Sequence, residues 1–329
     1  MKIYAFEVRD AAVAYFKQLE KQLNLKITLT NELLTKQTLN LVSDYDAITI
    51  LGQSQLDQEM LLKLQQHNIK YIATRTIGYN HIDIKTANQL GIKVCNANYP
   101  PTGVADYTIM LILLVIRNYK PALWRGQVYD YSLTGLCGRE MDDLTIGIIG
   151  TGRIGATVIK KLSGFGCKIL AYDNYTNPEV TKYATYCDLE TIYQKCDVIS
   201  LHVPLLDSTY HLINKDSIAK MKDGVILINC ARGELMKIDD LIDAIENRKI
   251  GGLGLDTVET EEGLIHIDHR NDILNNRGIH YLRQFPNVVM TQHMAFYTDK
   301  AVKSMVVNAI EGIVSMATNG TYKTMITEK

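Results

Sequence analysis

Four side chains of types that often take part in catalysis each follow an apolar, strand-like run in the second half of the chain. They are His202, Arg232, Asp256 and His293. Because the carboxyl ends of parallel strands meet at one edge of a sheet, we expect these side chains to converge there. A guanidinium can hold a carboxylate, and an imidazole can give or take a proton near neutral pH. The convergence therefore predicts a catalytic site.

A nucleotide-binding turn is predicted at residues 145–155. The apolar run Ile146–Ile149 is typical of a buried strand, and Gly150-x-Gly152-x-x-Gly155 follows it at the start of a helical pattern. In this context the glycines allow a tight turn, a close approach to a pyrophosphate and close packing of helix on strand. The pyrophosphate is expected at the amino end of the new helix. A glycine turn with a purely structural role is the alternative.

The next strand-like segment, Lys168–Asp173, ends in an acid. Asp173 is placed to accept hydrogen bonds from an adenosine ribose and to repel a 2′-phosphate. The segment therefore favours NAD over NADP as the cofactor.

A nicotinamide cofactor transfers hydride, and the protein supplies binding, orientation and protons. Arg232 can hold a substrate carboxylate with two parallel N–H bonds and polarise an adjacent keto oxygen. His293 can supply the proton, and a nearby carboxylate would favour the imidazolium and fix its tautomer. The acidic segment 257–262 offers three candidate partners, which the pattern does not separate: Glu259, Glu261 and Glu262.

Residues 1 to about 100 alternate strand and helix patterns, which is typical of a parallel sheet covered on both faces. Since the glycine motif does not begin this segment, we expect a separate domain. In it, backbone N–H groups at Ile77 and Gly78 follow a strand and could hold a small anion, although a plain turn is equally compatible. Residues 119–139 are aromatic and are expected to be irregular, either as a subunit contact or as a loop over the core.

The composition excludes several classes of partner. A net charge of −1 gives no general attraction to nucleic acid or to anionic membranes. The apolar run Ile109–Ile116 is too short to cross a bilayer, and the first residues lack a signal-peptide pattern. The six cysteines show neither a CxxC pair nor metal-ligand spacing. We therefore expect a cytoplasmic protein with reduced thiols and no metal.

The chain resembles the D-isomer-specific 2-hydroxyacid dehydrogenase family over nearly its full length. Within that family it is most similar to the D-lactate dehydrogenases, including those of the vancomycin-resistance type. The similarity is carried by segments 75–83, 104–107, 150–155, 199–204, 229–233, 255–261 and 293–298. Departures from the family pattern include Gln292, where proline is usual, and Tyr79, where smaller residues are common.

The resemblance implies a role for each candidate site residue. Arg232 would bind the substrate carboxylate and carbonyl, His293 would be the acid/base, and Glu261 its partner. Tyr99 and the backbone of Ile77 and Gly78 would bind the substrate carboxylate. The residues expected to contact NAD are Gly150, Gly152, Arg153, Ile154, Gly155, Asp173, Val203, Pro204, Thr209, Cys230, Ala231 and Asp256.

The resemblance also implies an architecture and an activity. It predicts two doubly wound α/β domains, with a Rossmann NAD-binding domain (101–296) inserted into a flavodoxin-like substrate domain (1–100 and 297–329). A homodimer is expected through the helix at 104–117. The expected activity is reduction of pyruvate to D-lactate. Bulkier 2-keto acids such as 2-oxoisocaproate and phenylpyruvate remain alternatives, and a non-catalytic NADH-sensing corepressor is the rival outside the enzymes.

Overall fold

The computed structural model describes residues 1–327 as an α/β protein with two compact units. Among these residues, unit 1 contains Met1–Pro100 and 297–327, and unit 2 contains Pro101–Phe296. The strands are β1 Lys2–Ala5, β2 Lys26–Leu29, β3 Ala47–Ile50, β4 Tyr71–Thr74, β5 Lys93–Cys95, β6 Thr145–Ile149, β7 Lys168–Tyr172, β8 Thr185–Tyr186, β9 Val198–Leu201, β10 Val225–Asn229, β11 Ile250–Leu255, β12 Val288–Met290 and β13 Met325–Ile326. The α-helices are α1 Asp10–Gln22, α2 Gln58–Gln66, α3 Ile84–Gln89, α4 Thr102–Ile116, α5 Tyr119–Gly126, α6 Arg153–Leu162, α7 Leu189–Lys195, α8 Lys215–Ala219, α9 Ile238–Glu246, α10 Arg277–Gln284 and α11 Asp299–Thr318.

Unit 1 has a six-stranded sheet in the order β13-β5-β4-β3-β1-β2. Its strands are parallel except β13, which pairs antiparallel with β5 at the edge. Strand β3 is buried at all four positions, as expected for a central strand with helices on both faces. The long helix α11 packs its apolar stripe on this sheet, where Ala309, Ile310 and Ile313 are fully buried.

Unit 2 has a seven-stranded parallel sheet in the order β12-β11-β10-β9-β6-β7-β8. Helices α4 and α6 pack in the apolar core on one face, and α9 packs in the core on the other. Because every strand is parallel, the carboxyl ends of β6, β9, β10, β11 and β12 lie along one edge. The predicted chemistry-bearing residues follow these ends.

The structure corrects the sequence expectations at two points. Residues 119–126 form the helix α5, although the whole of 119–139 was expected to be irregular. Pro121 fits there because it lies in the first turn, where a backbone N–H has no helical partner to lose. The strands also end earlier than the apolar runs suggest: β12 stops at Met290 and β10 at Asn229. His293 and Arg232 therefore lie in loops beyond their strands.

Two further observations concern membranes and thiols. Within residues 1–327, every helix is too short or too polar to cross a bilayer. All six cysteines are free thiols; Cys95 and Cys196 are buried, and Cys137 is exposed.

Candidate active site

The loop after β10 holds Arg232 in place through a buried amide. Asn229 ends β10 and is fully buried, and its side-chain NH₂ donates to the Arg232 carbonyl at 2.7 Å. Its side-chain oxygen accepts the N–H of Ala231 at 3.0 Å. The guanidinium of half-buried Arg232 donates to the Ala231 carbonyl at 2.8 Å. The Asn229 side-chain amide therefore holds both Ala231 and Arg232 in place. Its own buried polar atoms are hydrogen-bonded, as is usual for buried polar groups.

Asp256, at the end of β11, organises the loop that carries His293. One carboxylate oxygen accepts the Thr291 hydroxyl at 2.6 Å and the Met294 N–H at 2.9 Å. The other accepts the Ala295 N–H at 2.8 Å, and the Asp256 carbonyl accepts the His293 N–H at 2.8 Å. Asp256 is only 1% exposed, so its carboxylate acts within the protein as a positioning group. Its contact with NAD stays a prediction.

The structure selects one glutamate as the partner of His293. The His293 Nδ1 lies 2.6 Å from Glu261 Oε1, and the side chains are 27% and 17% exposed. The second Glu261 oxygen accepts the Val258 N–H at 3.0 Å, which fixes the carboxylate. His293 has a φ of +50°, an uncommon backbone conformation for a bulky residue. The Asp256 hydrogen bonds hold the loop in that conformation.

The glycine turn after β6 has the predicted backbone. Gly150 has a φ of +97°, and a Cβ there would lie 2.6 Å from the His202 carbonyl carbon. A Cβ on Gly155 would collide with the Gly150 carbonyl oxygen, so helix α6 packs directly on the turn. A Cβ on Gly152, which caps α6, would meet no atom within 4 Å. The space beside the helix start is therefore open, as a pyrophosphate site requires.

Comparison with known proteins identifies the family. Residues 109–295 match the description "D-isomer specific 2-hydroxyacid dehydrogenase, NAD binding domain". The chain is 41% identical over 325 residues to an aromatic 2-oxoacid reductase of Clostridium sporogenes, with 98% of each chain covered. The chain belongs to the D-isomer-specific 2-hydroxyacid dehydrogenase family.

Solved structures agree with this identification. A D-lactate dehydrogenase from a Sporolactobacillus species is 35% identical, with a TM-score of 0.85 and coverage of 100% of this chain and 99% of the other. A D-2-hydroxyisocaproate dehydrogenase is 31% identical, with a TM-score of 0.90 and full coverage of both chains. This dehydrogenase therefore has the two-domain α/β fold of the family and an NAD-binding domain.

The residues at the glycine turn fit NAD. Asp173 follows β7 beside the turn, and its Oδ2 accepts the Thr151 N–H at 2.6 Å and the Thr151 hydroxyl at 3.1 Å. The Tyr186 hydroxyl donates to the Thr151 hydroxyl at 2.8 Å and completes this network. Asp173 therefore anchors the turn, which the sequence did not predict, and its contact with the adenosine ribose stays a prediction.

Replacing Asp173 with alanine should weaken NADH binding and relax the discrimination against NADPH. A charged hydrogen bond contributes roughly 1.5–3 kcal/mol, so we expect the Kd for NADH to rise about 10- to 100-fold. Loss of the negative charge should also bring the Kd values for NADPH and NADH closer together. Fluorescence titration with both cofactors measures the effect. An unchanged ratio of the two affinities would contradict the assigned role.

His202 directly follows β9 at the predicted edge of the sheet, and its contacts there are with the scaffold. Its Nε2 lies 2.9 Å from the Ser200 hydroxyl, and its backbone packs beneath Gly150. Burial lowers the pKa of His202 to about 4, from 6.5. The imidazole is therefore expected to be neutral at physiological pH.

The low pKa of His202 predicts a contribution to acid sensitivity. The unfolded chain takes up this proton below about pH 6.5, whereas the folded chain does so only near pH 4, so stability falls as the pH drops through that window. When the pH is lowered from 7 to 5, titration of His202 should reduce the free energy of unfolding by about 2 kcal/mol. Urea unfolding of wild type and His202→Gln at both pH values measures the difference. If the free energy of unfolding fell equally in the wild type and in His202→Gln between pH 7 and pH 5, His202 would not be the cause of the acid sensitivity.

In unit 1, the residues of the predicted anion site lie in the loop after β4. The Ile77 carbonyl accepts the Asn96 side-chain amide at 2.7 Å, and the Gly78 carbonyl accepts the Thr76 hydroxyl at 2.6 Å. Within the part of the chain that the structure describes, the N–H groups of Ile77 and Gly78 donate to no protein atom. The half-buried Tyr99 lies at the end of the same unit. No group of three or more potential metal ligands occurs among residues 1–327.

The remaining predicted cofactor contacts lie beside the same strand ends. Arg153 and Ile154 begin α6, and Cys230 and Ala231 follow β10. The turn after β9 contains Val203, Pro204 and Thr209; the Thr209 hydroxyl donates to the Pro204 carbonyl at 2.7 Å. Sequence reasoning missed the positioning roles of Asn229, Thr151 and Thr291. A polar residue that ends or interrupts a buried apolar run is the pattern that could have revealed Asn229.

Proposed function

We propose that this dehydrogenase reduces a 2-keto acid to the D-2-hydroxy acid with NADH, and that Arg232, Glu261 and His293 are its catalytic residues. The observation that carries the proposal is the 2.6 Å contact between Glu261 and His293. A histidine paired with a half-buried carboxylate is the usual arrangement of an acid/base group. Arg232 follows β10, and Glu261 follows the neighbouring strand β11. The ends of these two strands are connected, because the Asp256 N–H donates to the Asn229 carbonyl at 2.9 Å.

The side chains suggest how the reaction proceeds. Bound NADH supplies the hydride to the keto carbon. Glu261 holds Nδ1–H of His293, so Nε2 is the nitrogen that gives its proton to the carbonyl oxygen. The C=O π electrons move to oxygen as that O–H bond forms. Arg232 holds the substrate carboxylate and polarises the keto oxygen. In unit 1, we assign Tyr99 and the N–H groups of Ile77 and Gly78 to the substrate carboxylate.

We propose an aromatic or bulky 2-keto acid as the preferred substrate, in place of the pyruvate expected from the sequence. Three rings support this choice: the centroid of His293 lies 6.2 Å from that of His266 and 6.3 Å from that of Phe296. His266 and Phe296 are themselves 6.3 Å apart. Such rings favour edge contacts with an aromatic side chain. The 41% identity to an aromatic 2-oxoacid reductase agrees. Pyruvate remains the second candidate because of the similarity to a D-lactate dehydrogenase.

A substrate series tests this choice. NADH oxidation should be followed with pyruvate, 2-oxobutyrate, 2-oxoisocaproate and phenylpyruvate. Burying a larger apolar group gives roughly 1–3 kcal/mol, so kcat/KM for phenylpyruvate should exceed that for pyruvate by about 10- to 100-fold. Phe296→Ala should reduce the rate with phenylpyruvate more than the rate with pyruvate. A maximum at pyruvate would establish the D-lactate alternative. No turnover of any acid would favour the NADH-sensing corepressor.

We also propose a homodimer in the cytoplasm. Besides the expected helix α4, the segment after α5 exposes large apolar side chains: Val128 is 73% exposed, Tyr129 83%, Tyr131 76% and Leu133 83%. Apolar exposure on this scale marks an interaction surface. We expect light scattering to give twice the chain mass, and Tyr129→Glu with Leu133→Glu to give the monomer mass. A wild-type monomer would overturn the dimer. The six free thiols fit a reducing compartment.

A further inference from the structure

Unit 2 contains a second histidine–carboxylate pair that the proposed reaction does not use. The His211 Nε2 lies 2.6 Å from Glu259 Oε1, and these side chains are only 22% and 14% exposed. The backbone of His211 has a φ of +50°. Removing either partner of a pair this shielded from water would leave the other side chain short of a hydrogen-bond partner, which is energetically costly.

Glu259 joins three segments of the chain. Its second oxygen accepts the N–H of Ile238, the first residue of α9, at 3.0 Å. The His211 backbone N–H donates to the Glu234 carbonyl at 2.8 Å. The pair therefore connects the turn after β9, the segment between Arg232 and α9, and the loop after β11.

The same pair is connected through the backbone to two proposed catalytic residues, Arg232 and Glu261. The backbone of Gly233, next to Arg232, packs so tightly on the carbonyl of Val258 and the N–H of Glu259 that a Cβ there would collide with them. The Val258 N–H donates to Glu261 at 3.0 Å. A displacement of Glu259 would therefore move Arg232 through Gly233 and move Glu261 through Val258. Displacements of about 1 Å at such positions can reduce a rate by about 100-fold.

We propose that His211 and Glu259 form a positioning pair that sets Glu261 and Arg232 in their reactive geometry. This inference rests on the proposed function of Glu261 and Arg232. The pair touches neither of their reactive groups, so it acts through the backbone of Gly233 and Val258. It should therefore influence the chemical step more than the binding of NADH.

The test uses Glu259→Gln and His211→Gln in the full chain. In both variants kcat should fall about 10- to 100-fold, while the KM for the 2-keto acid changes much less. The primary isotope effect with deuterated NADH should rise, because hydride transfer becomes more rate-limiting. The Kd for NADH, from fluorescence titration, should stay within about threefold. The double variant should be little worse than either single variant, because both break one pair.

Two comparisons separate positioning from simple stabilisation. Glu190→Gln makes the same change at an exposed carboxylate that pairs with Lys220 at 2.9 Å, and it should leave kcat and the isotope effect unchanged. All rates should be measured well below each variant's unfolding temperature. A lower unfolding temperature with a wild-type kcat and isotope effect in Glu259→Gln and His211→Gln would overturn the positioning role. If the wild type turned over no 2-keto acid, the proposed function itself would fail instead.

Discussion

Replacing His293 with glutamine should lower kcat for 2-keto acid reduction by about 10²- to 10⁴-fold, the usual contribution of a positioned general acid. The amide cannot deliver a proton to the carbonyl oxygen, whereas the loop around it keeps its hydrogen bonds to Asp256. The Kd for NADH should therefore stay near its wild-type value. Steady-state NADH oxidation gives kcat, and fluorescence titration gives the Kd.

Glu261→Gln is the companion variant for His293. The substituted amide would keep the length and shape of the side chain but would lose the charge that supports the imidazolium, so we expect a smaller loss of kcat than in His293→Gln. Because the two residues act as one unit, the double variant should resemble His293→Gln. A His293→Gln enzyme with wild-type kcat would remove His293 from the mechanism.

Arg232→Gln should have the second large effect, and it should act on both kinetic constants. Loss of a charged, bidentate partner costs about 2–5 kcal/mol, so kcat/KM should fall about 30- to 5,000-fold. The KM should rise because the carboxylate loses its partner, and kcat should fall because the keto oxygen is less polarised. NADH binding should change little. The rates are measured over a range of 2-keto acid concentrations.

Arg232→Lys is the matched control because it retains the charge and loses the planar fork. A single ammonium cannot reproduce two parallel N–H bonds, so we expect an activity between those of the wild type and Arg232→Gln. Wild-type kinetics in Arg232→Gln would show that substrate is held elsewhere. Equal losses of kcat/KM in Arg232→Gln and Arg232→Lys would show that the reaction depends on the planar, bidentate geometry of the guanidinium and not on its charge alone.

Much of this arrangement could be predicted because it follows from local patterns. The strand, glycine turn and helix at 145–162 have the conformations that their apolar spacing and glycines indicate. The sheet edge was also predictable, since parallel strands place their carboxyl ends together. Arg232, Asp256 and His293 all follow β-strands at that edge.

The residue pattern alone does not choose among the three glutamates, because the choice depends on the path of an irregular loop; the family resemblance is what implied Glu261. Glu259 and Glu261 are separated by Thr260, whose φ of +66° places it in the left-handed region. One carboxylate then meets His211 and the other meets His293. No periodicity describes such a turn, so the pattern of residue types does not distinguish the two carboxylates.

Other differences have similar tertiary causes. The apolar pattern does not show that β12 ends at Met290. The strand ends there because the next residue, Thr291, donates its hydroxyl to the carboxylate of the buried Asp256. Helix α5 was missed because its stability depends on distant contacts. Lys120, in its first turn, donates to the Arg283, Phe285 and Val288 carbonyls at 2.6–2.7 Å. Burial lowers the pKa of Lys120 to about 8.

The most direct test of the account is the chirality of the product. Purified enzyme, NADH and phenylpyruvate should be incubated to completion, and the 2-hydroxy acid should be resolved by chiral chromatography alongside a His293→Gln sample. We predict one D-hydroxy acid for each NADH consumed by the wild type, and only trace product from the variant. An L-hydroxy acid, a racemic product or equal turnover by the variant would contradict the assignment of the D-specific reaction to His293.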